Sequence, residues 1–308
     1  MSEHISVLLP EALSLLHLKE DGIYLDLTLG RGGHSAAILS RIPSGHLYAF
    51  DLDETAIAES RPRLEAIGSN FTLIHDNFAN AKVALERLGV DKVDGILMDL
   101  GVSSPQFDDG ERGFSYRYDA PLDMRMDQTN GASARDIVNN YPVGELIRVF
   151  REYGEDPDAP RVAHAIALAR GEKPIETTGE LVEIIKNAKP NSSLKKKGHP
   201  AKQIFQALRI ETNDELGSLE AALESLPGML KEGGVIAVIT FHSLEDRIVK
   251  QTFRGLTRVI GSRNAPFLKE DSKPQYNDLT RHPIVPGEKE LLANHRAASA
   301  KLRAIERR

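Results

Sequence analysis

The stretch Tyr24-Leu-Asp-Leu-Thr-Leu-Gly30-Arg-Gly-Gly-His-Ser35 constrains the fold more than any other part of this chain. Ile23, Leu25, Leu27 and Leu29 make an apolar strand, and Gly30, Gly32 and Gly33 let the backbone turn sharply and approach a ligand closely. Ser35 opens a helix through Ala36, Ala37, Ile38 and Leu39, whose N-terminal amides would face that ligand. Strand, glycine turn and helix in this order read as a nucleotide-type cofactor loop, although a plain tight βα connection has the same pattern.

The next segments favour the cofactor reading. Leu47-Tyr-Ala-Phe-Asp51 is a second strand ending in a carboxylate, at about the 20-residue spacing from the glycine turn at which a doubly wound fold sets an acid on a ribose. Asp53 competes for that role. A carboxylate accepts both ribose hydroxyls and repels a 2′-phosphate, so adenosine-type ligands fit and NADP does not. Phe71-Thr-Leu-Ile-His75 is a third strand, and Asp76, Asn77 and Phe78 after it are candidates to line an adenine slot. Phe78 as a core residue is the competing reading. Val93-Asp-Gly-Ile-Leu-Met-Asp99 is a fourth strand.

The fifth strand, Gly234 to Phe241, comes far later than the roughly 30 residues that a βαβ unit needs. Its crossover helix is Leu216 to Leu230, ended by Gly233-Gly234. About 100 residues are therefore inserted, and they read as helical: Ala132 to Tyr153, Pro160 to Ala169, and Gly179 to Ala188 after Thr177-Thr178. The expected plan is an α/β, Rossmann-like domain with a doubly wound, mostly parallel sheet, made of residues 1–109 and 213–308. A helical substrate domain of residues 110–212 interrupts it.

Composition excludes several chemistries. With 308 residues and 41% hydrophobic content the chain can bury a full core. It has no cysteine, so disulfides, thiolate metal sites and thiol nucleophiles are closed to it. No apolar run approaches the length of about 20 that spans a bilayer, and Val7-Leu-Leu9 stops at Pro10 without a signal-peptide core, so a cytoplasmic protein is expected. A net charge of −6 argues weakly against nucleic acid, but six lysines and no acid lie between Lys186 and Lys202. Five basic residues face only Glu306 between Arg296 and Arg308. These are two basic patches that could hold phosphates, or two solvated faces.

Two motifs leave strand ends. Asp99-Leu-Gly-Val-Ser-Ser-Pro-Gln-Phe107 resembles the Asp/Asn-Pro-Pro-aromatic loop of amino methyltransferases, in which oxygen acceptors hold the hydrogens of an exocyclic amine. A simple Ser-Pro turn is the alternative. Thr240-Phe-His-Ser-Leu-Glu-Asp246 gathers His242, Glu245 and Asp246 at the end of the fifth strand, where a lone histidine would usually be structural.

Long ordered segments carry a family resemblance across nearly the whole chain: His4 to Ala12, Gly30 to Ser35, Asp99 to Gln106, Arg112 to Asp127, Phe205 to Glu215, Thr240 to Arg247, and Ser299 to Arg303. On these the chain resembles the MraW family of S-adenosylmethionine-dependent methyltransferases, which make N4-methylcytidine in small-subunit ribosomal RNA. The tail departs from the family pattern at Asn294-His-Arg-Ala-Ala298, which puts a tail contact with RNA in doubt.

The resemblance implies S-adenosyl-L-methionine as cofactor, S-adenosyl-L-homocysteine as product and no metal. It implies that Gly32, Gly33 and His34 contact the methionine end, Asp51 the ribose, Phe78 the adenine neighbourhood, and Asp99 and Gln106 the region near the sulfonium. Ser104 and Pro105 are candidates to orient the amine, and His242 and Asp246 are weaker candidates for contacts there. The expected substrate is a specific cytidine of 16S RNA near the decoding centre in an assembled or nearly assembled subunit, splayed out of its stack. A homodimer is compatible with the sequence.

The residues agree on mechanism, because methylation at pyrimidine carbon 5 needs a thiolate adduct and a nitrogen target needs none. A dinucleotide oxidoreductase would share the loop and Asp51, but Ser35 stands where that pattern expects Gly or Ala. A ribosome-assembly factor that binds the cofactor without turnover is the third reading.

Overall fold

The computed structural model describes residues 6–102, 106, 107, 110–258 and 274–308. The chain forms two compact units, Met1–Gly101 with Leu216–Arg308, and Val102–Glu215. The first join, at 101/102, falls eight residues before the sequence-based boundary at 109/110, because the chain leaves the sheet directly after the fourth strand, and the second, at 215/216, falls three residues after 212/213.

Among its described residues the first unit builds one seven-stranded sheet in the order β3-β2-β1-β4-β5-β7-β6. The strands are β1 (Ile23–Asp26), β2 (His46–Asp51), β3 (Phe71–His75), β4 (Val93–Asp99), β5 (Leu230–Thr240), β6 (Tyr276–Asp278) and β7 (Lys301–Arg307). The first five run parallel, and β7 lies antiparallel to both β5 and β6. The sheet is buried on both faces, as parallel sheets require. Alternate residues of each strand supply two separate cores: Leu47, Leu97, Ala237 and Leu302 pack on one side, and Phe50, Ile96, Val238 and Ile305 on the other. Helices α1 (Leu9–Leu15), α2 (Gly33–Leu39) and α3 (Glu54–Glu65) feed Leu13, Ile38 and Leu64 into the first core. Helix α4 (Ala81–Arg87) contributes Leu85 to the second.

Three expectations are corrected here. The β1 strand stops at Asp26 rather than Leu29, because the Asp26 carboxylate accepts the Thr28 amide and breaks the regular ladder; Leu27 and Leu29 still donate to the Leu97 and Phe50 carbonyls. Helix 216–230 ends early, at Ser225, ahead of Pro227. The Gly233-Gly234 pair is no helix cap, but a bulge inside β5: Leu230 already pairs with Val93, the register shifts before Gly95, and Gly233 takes φ +72°.

The second unit is helical. Helices α5 (Ala134–Asn140), α6 (Val143–Glu152), α7 (Ala159–Glu172), α8 (Thr178–Ala188) and α9 (Lys202–Asn213) surround a core that includes Ile137, Phe150, Ile166, Ile185 and Leu208. The single helix expected over 132–153 is two, since Pro142 has no amide to donate and forces Tyr141 into extended backbone at ψ 140°. Two of the family-like segments tie this unit together. Asn213 accepts the Met126 amide and donates to the Met124 carbonyl, while the buried Arg112 donates to the Arg125 and Met126 carbonyls.

Candidate active site

Three neighbouring parallel strands end on aspartate: Asp26 on β1, Asp51 on β2 and Asp99 on β4. The chain reverses its winding between β1 and β4, which is where a doubly wound sheet opens a crevice for its ligand. Asp26 and Asp99 stand on either side of that switch point.

Hydrogen bonds fix the glycine turn against these acids. Asp51 accepts the Gly30 amide at 2.8 Å through Oδ2 and the Asp53 amide at 2.9 Å through Oδ1. Ser60 donates to the Gly30 carbonyl at 2.7 Å. Gly32 caps α2 in the left-handed region at φ +69°, and a Cβ there would come within 3.2 Å of the Ser60 Cβ. The turn therefore needs glycine for both backbone and space. Asp26 accepts the Ser35 hydroxyl at 2.6 Å, and the Asp99 amide donates to the Thr28 hydroxyl at 2.6 Å.

His34 is buried against this network. Its Nε2 lies 3.1 Å from the Val7 carbonyl, which can only accept, so Nε2 carries a hydrogen; its Nδ1 faces Asp99 Oδ2 at 3.5 Å. The other Asp99 oxygen, Oδ1, is buried and has no hydrogen-bond partner among the described residues. Burial pushes all three aspartates upward. Asp26 is raised although His34 opposes the effect, Asp51 is pushed to about 6, and Asp99 rises well above the ordinary range with Asp26, Glu245 and Glu290 adding to the burial. The apo site thus pays for uncompensated negative charge.

Cationic groups and hydroxyl donors of a ligand would relieve that cost. S-adenosylmethionine carries both: Asp51 would keep lone pairs for its ribose, and Asp99 Oδ1 is an acceptor with no hydrogen-bond partner among the described residues. Asp51 titrates near 6 in the apo protein, and hydroxyl donors from a ligand lower that value. Binding then releases a proton below about pH 6 and none above it. Cofactor affinity measured by calorimetry is expected to weaken as the pH falls below 6, the Asp51 contribution approaching tenfold per pH unit. Affinity that increases toward acid would contradict the assignment of Asp51.

The remaining sequence candidates divide. Phe78 follows β3 as expected but packs partly buried against the second core, with Asn77 ahead of it capping its turn and donating to Ser218. Gln106 is buried and belongs to the second unit. Ser104 and Pro105 lie outside the described residues. His242 caps helix α11 (Ser243–Leu256; α10 is Glu215–Ser225) in a reciprocal box with Glu245. Asp246 is occupied by β7: Arg303 donates to it at 2.7 Å and Lys301 at 3.0 Å. Burial alone would raise Asp246, but those two bonds hold it below the ordinary range. Much of the basic tail is engaged within its own unit. Arg303 is buried, Arg307 donates to the Gly228 and Leu230 carbonyls, and Arg308 donates to Asn277. Asp26, Thr28 and Ser35 were missed from sequence, although an aspartate inside an apolar strand was the available signal.

A mostly parallel doubly wound sheet, with β7 antiparallel between β5 and β6 and a glycine turn held by acids at the switch point, defines a Rossmann-like methyltransferase. Residues 1–308 match the MraW methylase family, and the chain belongs to it. Its methyl donor is S-adenosylmethionine. A relative named ribosomal RNA small subunit methyltransferase H, from Streptococcus dysgalactiae subsp. equisimilis, is 52% identical over 307 residues, covering 99% of this chain and 97% of the relative. Among solved structures, an rRNA methylase from Streptococcus thermophilus matches 99% of both chains at 13% identity and a TM-score of 0.43. A Thermus thermophilus protein called TrmN matches 98% of this chain and 48% of its own at 14% identity and a TM-score of 0.41. Among the described residues no helix is long and apolar enough to cross a membrane.

Proposed function

We propose that this protein transfers the methyl group of S-adenosylmethionine to the exocyclic N4 of one cytidine in small-subunit (16S) ribosomal RNA, near the decoding centre. The observation that carries the reading is the acidic strand-end cluster, with a buried Asp99 oxygen that has no hydrogen-bond partner among the described residues, in a chain of the MraW family. The near-full-length relative named for small-subunit RNA supports the substrate class.

The bound cofactor supplies a methyl group activated by its sulfonium. The chain supplies the rest. The unit Met1–Gly101 with Leu216–Arg308 holds the cofactor, with Gly32, Gly33 and His34 at the methionine end, Asp51 on the ribose and Asp99 beside the positive groups. The unit Val102–Glu215 recognises the RNA. Gln106 serves near the sulfonium, and Ser104 and Pro105 hold the amine hydrogens on acceptors, which favours the pyramidal nitrogen that attack requires. A Ser104→Ala enzyme with unchanged turnover rejects that role for the side chain.

The target base must leave its stack to be reached, and its RNA context is the assembled subunit. Small subunits lacking the modification are expected to accept labelled methyl from S-adenosylmethionine far better than a short hairpin of the same sequence. Label in neither substrate, with cofactor still bound, would leave the assembly-factor reading standing. Equal label in both would remove the requirement for assembly.

A further inference from the structure

The six lysines from Lys186 to Lys202 do not form one patch. Lys189 is buried on Asp156, and Lys186 pairs with Glu183 at 2.9 Å. Lys195, Lys196 and Lys197 are different: all three are exposed, in the loop ahead of α9, and no acid pairs with them among the described residues.

This loop is anchored by an aromatic stack. His199 lies on the Tyr116 ring with centroids 4.4 Å apart and planes 9° apart, and Tyr116 in turn meets Phe205 edge-on at 5.7 Å. The stack joins the lysine loop to the 116–117 segment, where Arg117 is exposed. His199 feels the cations gathered here, for burial first and then Lys186 and Arg117 hold it below its ordinary range. Its Nδ1 accepts the Ala201 amide at 3.2 Å, so the hydrogen of the neutral ring sits on Nε2. No described residue takes up that Nε2–H.

We propose that Lys195, Lys196, Lys197 and Arg117, together with the Nε2–H of His199, form a docking surface for the sugar–phosphate backbone of RNA. The deduction rests on the RNA methyltransferase reading above and adds to it the place where the substrate is held away from the reacting base. Phosphate oxygens only accept, and every group here only donates. Such contacts fix register and orientation without reading sequence. An ordered stack holds the lysine loop at one position, so less freedom is lost when RNA binds.

The test compares the full-length enzyme with Lys195→Ala/Lys196→Ala/Lys197→Ala, and His199→Gln with His199→Ala. Binding to deproteinised 16S RNA and to small subunits is followed across salt concentrations, alongside methylation rates. The triple variant is expected to bind both RNAs about tenfold or more weaker and to lower the slope of log affinity against log salt by about 2. Its KM should increase with kcat nearly unchanged. His199→Gln, which keeps an amide donor, should bind like the parent, whereas His199→Ala should lose several-fold.

An unchanged salt slope overturns the proposal. So does a loss confined to intact subunits with naked RNA bound normally, because that pattern assigns the lysines to a ribosomal protein. The parent enzyme separates the two levels of the account: if it binds RNA salt-dependently but methylates nothing, the catalytic reading fails and the surface stands.

Discussion

Replacing Asp51 by alanine is expected to weaken S-adenosylmethionine binding by roughly 100-fold, because in its proposed role it would lose two charge-assisted hydrogen bonds to ribose hydroxyls at about 1.5 kcal/mol or more each. The same carboxylate holds the Gly30 amide, so part of the loss comes from a turn no longer fixed against β2. Asp51→Asn separates these contributions. Its one acceptor oxygen is uncharged and its amide nitrogen only donates, so an intermediate loss of about tenfold is expected. The part of the pH dependence that Asp51 contributes below 6 should vanish in both variants, leaving whatever Asp26 and Asp99 contribute. Titration calorimetry reads all three effects. A Kd for Asp51→Ala within threefold of the parent would remove Asp51 from the cofactor site and direct attention to Asp53.

The largest effect on stability is expected in the second unit, at the ion pair of Lys189 and Asp156. The two side chains are 5% and 0% exposed, so removing the cation strands a carboxylate in the core. Among the described residues Asp156 otherwise accepts the Asp158 amide, at 2.9 Å. Breaking such a pair costs about 3–5 kcal/mol, and Lys189→Ala should lower the Tm by roughly 10 °C. Cofactor affinity should survive, because the pair lies in the other unit. The double variant Lys189→Met/Asp156→Leu removes both charges and should recover most of the loss. A Tm within 2 °C of the parent for Lys189→Ala would show that Asp156 finds water or another donor. Circular dichroism melts settle the comparison.

Much of the parallel half of the sheet was legible because each strand is a short apolar run bounded by polar residues. Phe71–His75 and Val93–Asp99 end where the sequence pattern ends. Asp51 was legible for the same reason, as a carboxylate that terminates such a run. What stayed hidden depends on partners distant in sequence. β7 reads as a basic tail because its charges are visible in the sequence and the carboxylate that takes up Arg303 and Lys301 is not. Lys189 is lost among lysines by the same logic, its partner lying on the chain before α7.

Local backbone chemistry accounts for the other differences. Pro142 interrupts an amphipathic pattern that looks continuous, and Gly233 serves a strand bulge in a position that also suits a helix end. The site was half legible. The glycine turn and Asp51 were legible in the loop and strand pattern, His34 and Asp99 only through the family resemblance, and the structure joins Gly30 to Asp51 and His34 to Asp99. Asp26, Thr28 and Ser35 emerge only from the hydrogen bonds that brace those groups.

The most direct measurement is nucleoside mass spectrometry of 16S RNA from unmodified small subunits incubated with the enzyme and isotopically labelled S-adenosylmethionine. The account predicts one labelled nucleoside, N4-methylcytidine, at one position. Label in 5-methylcytidine, in a purine or in ribosomal protein would contradict it.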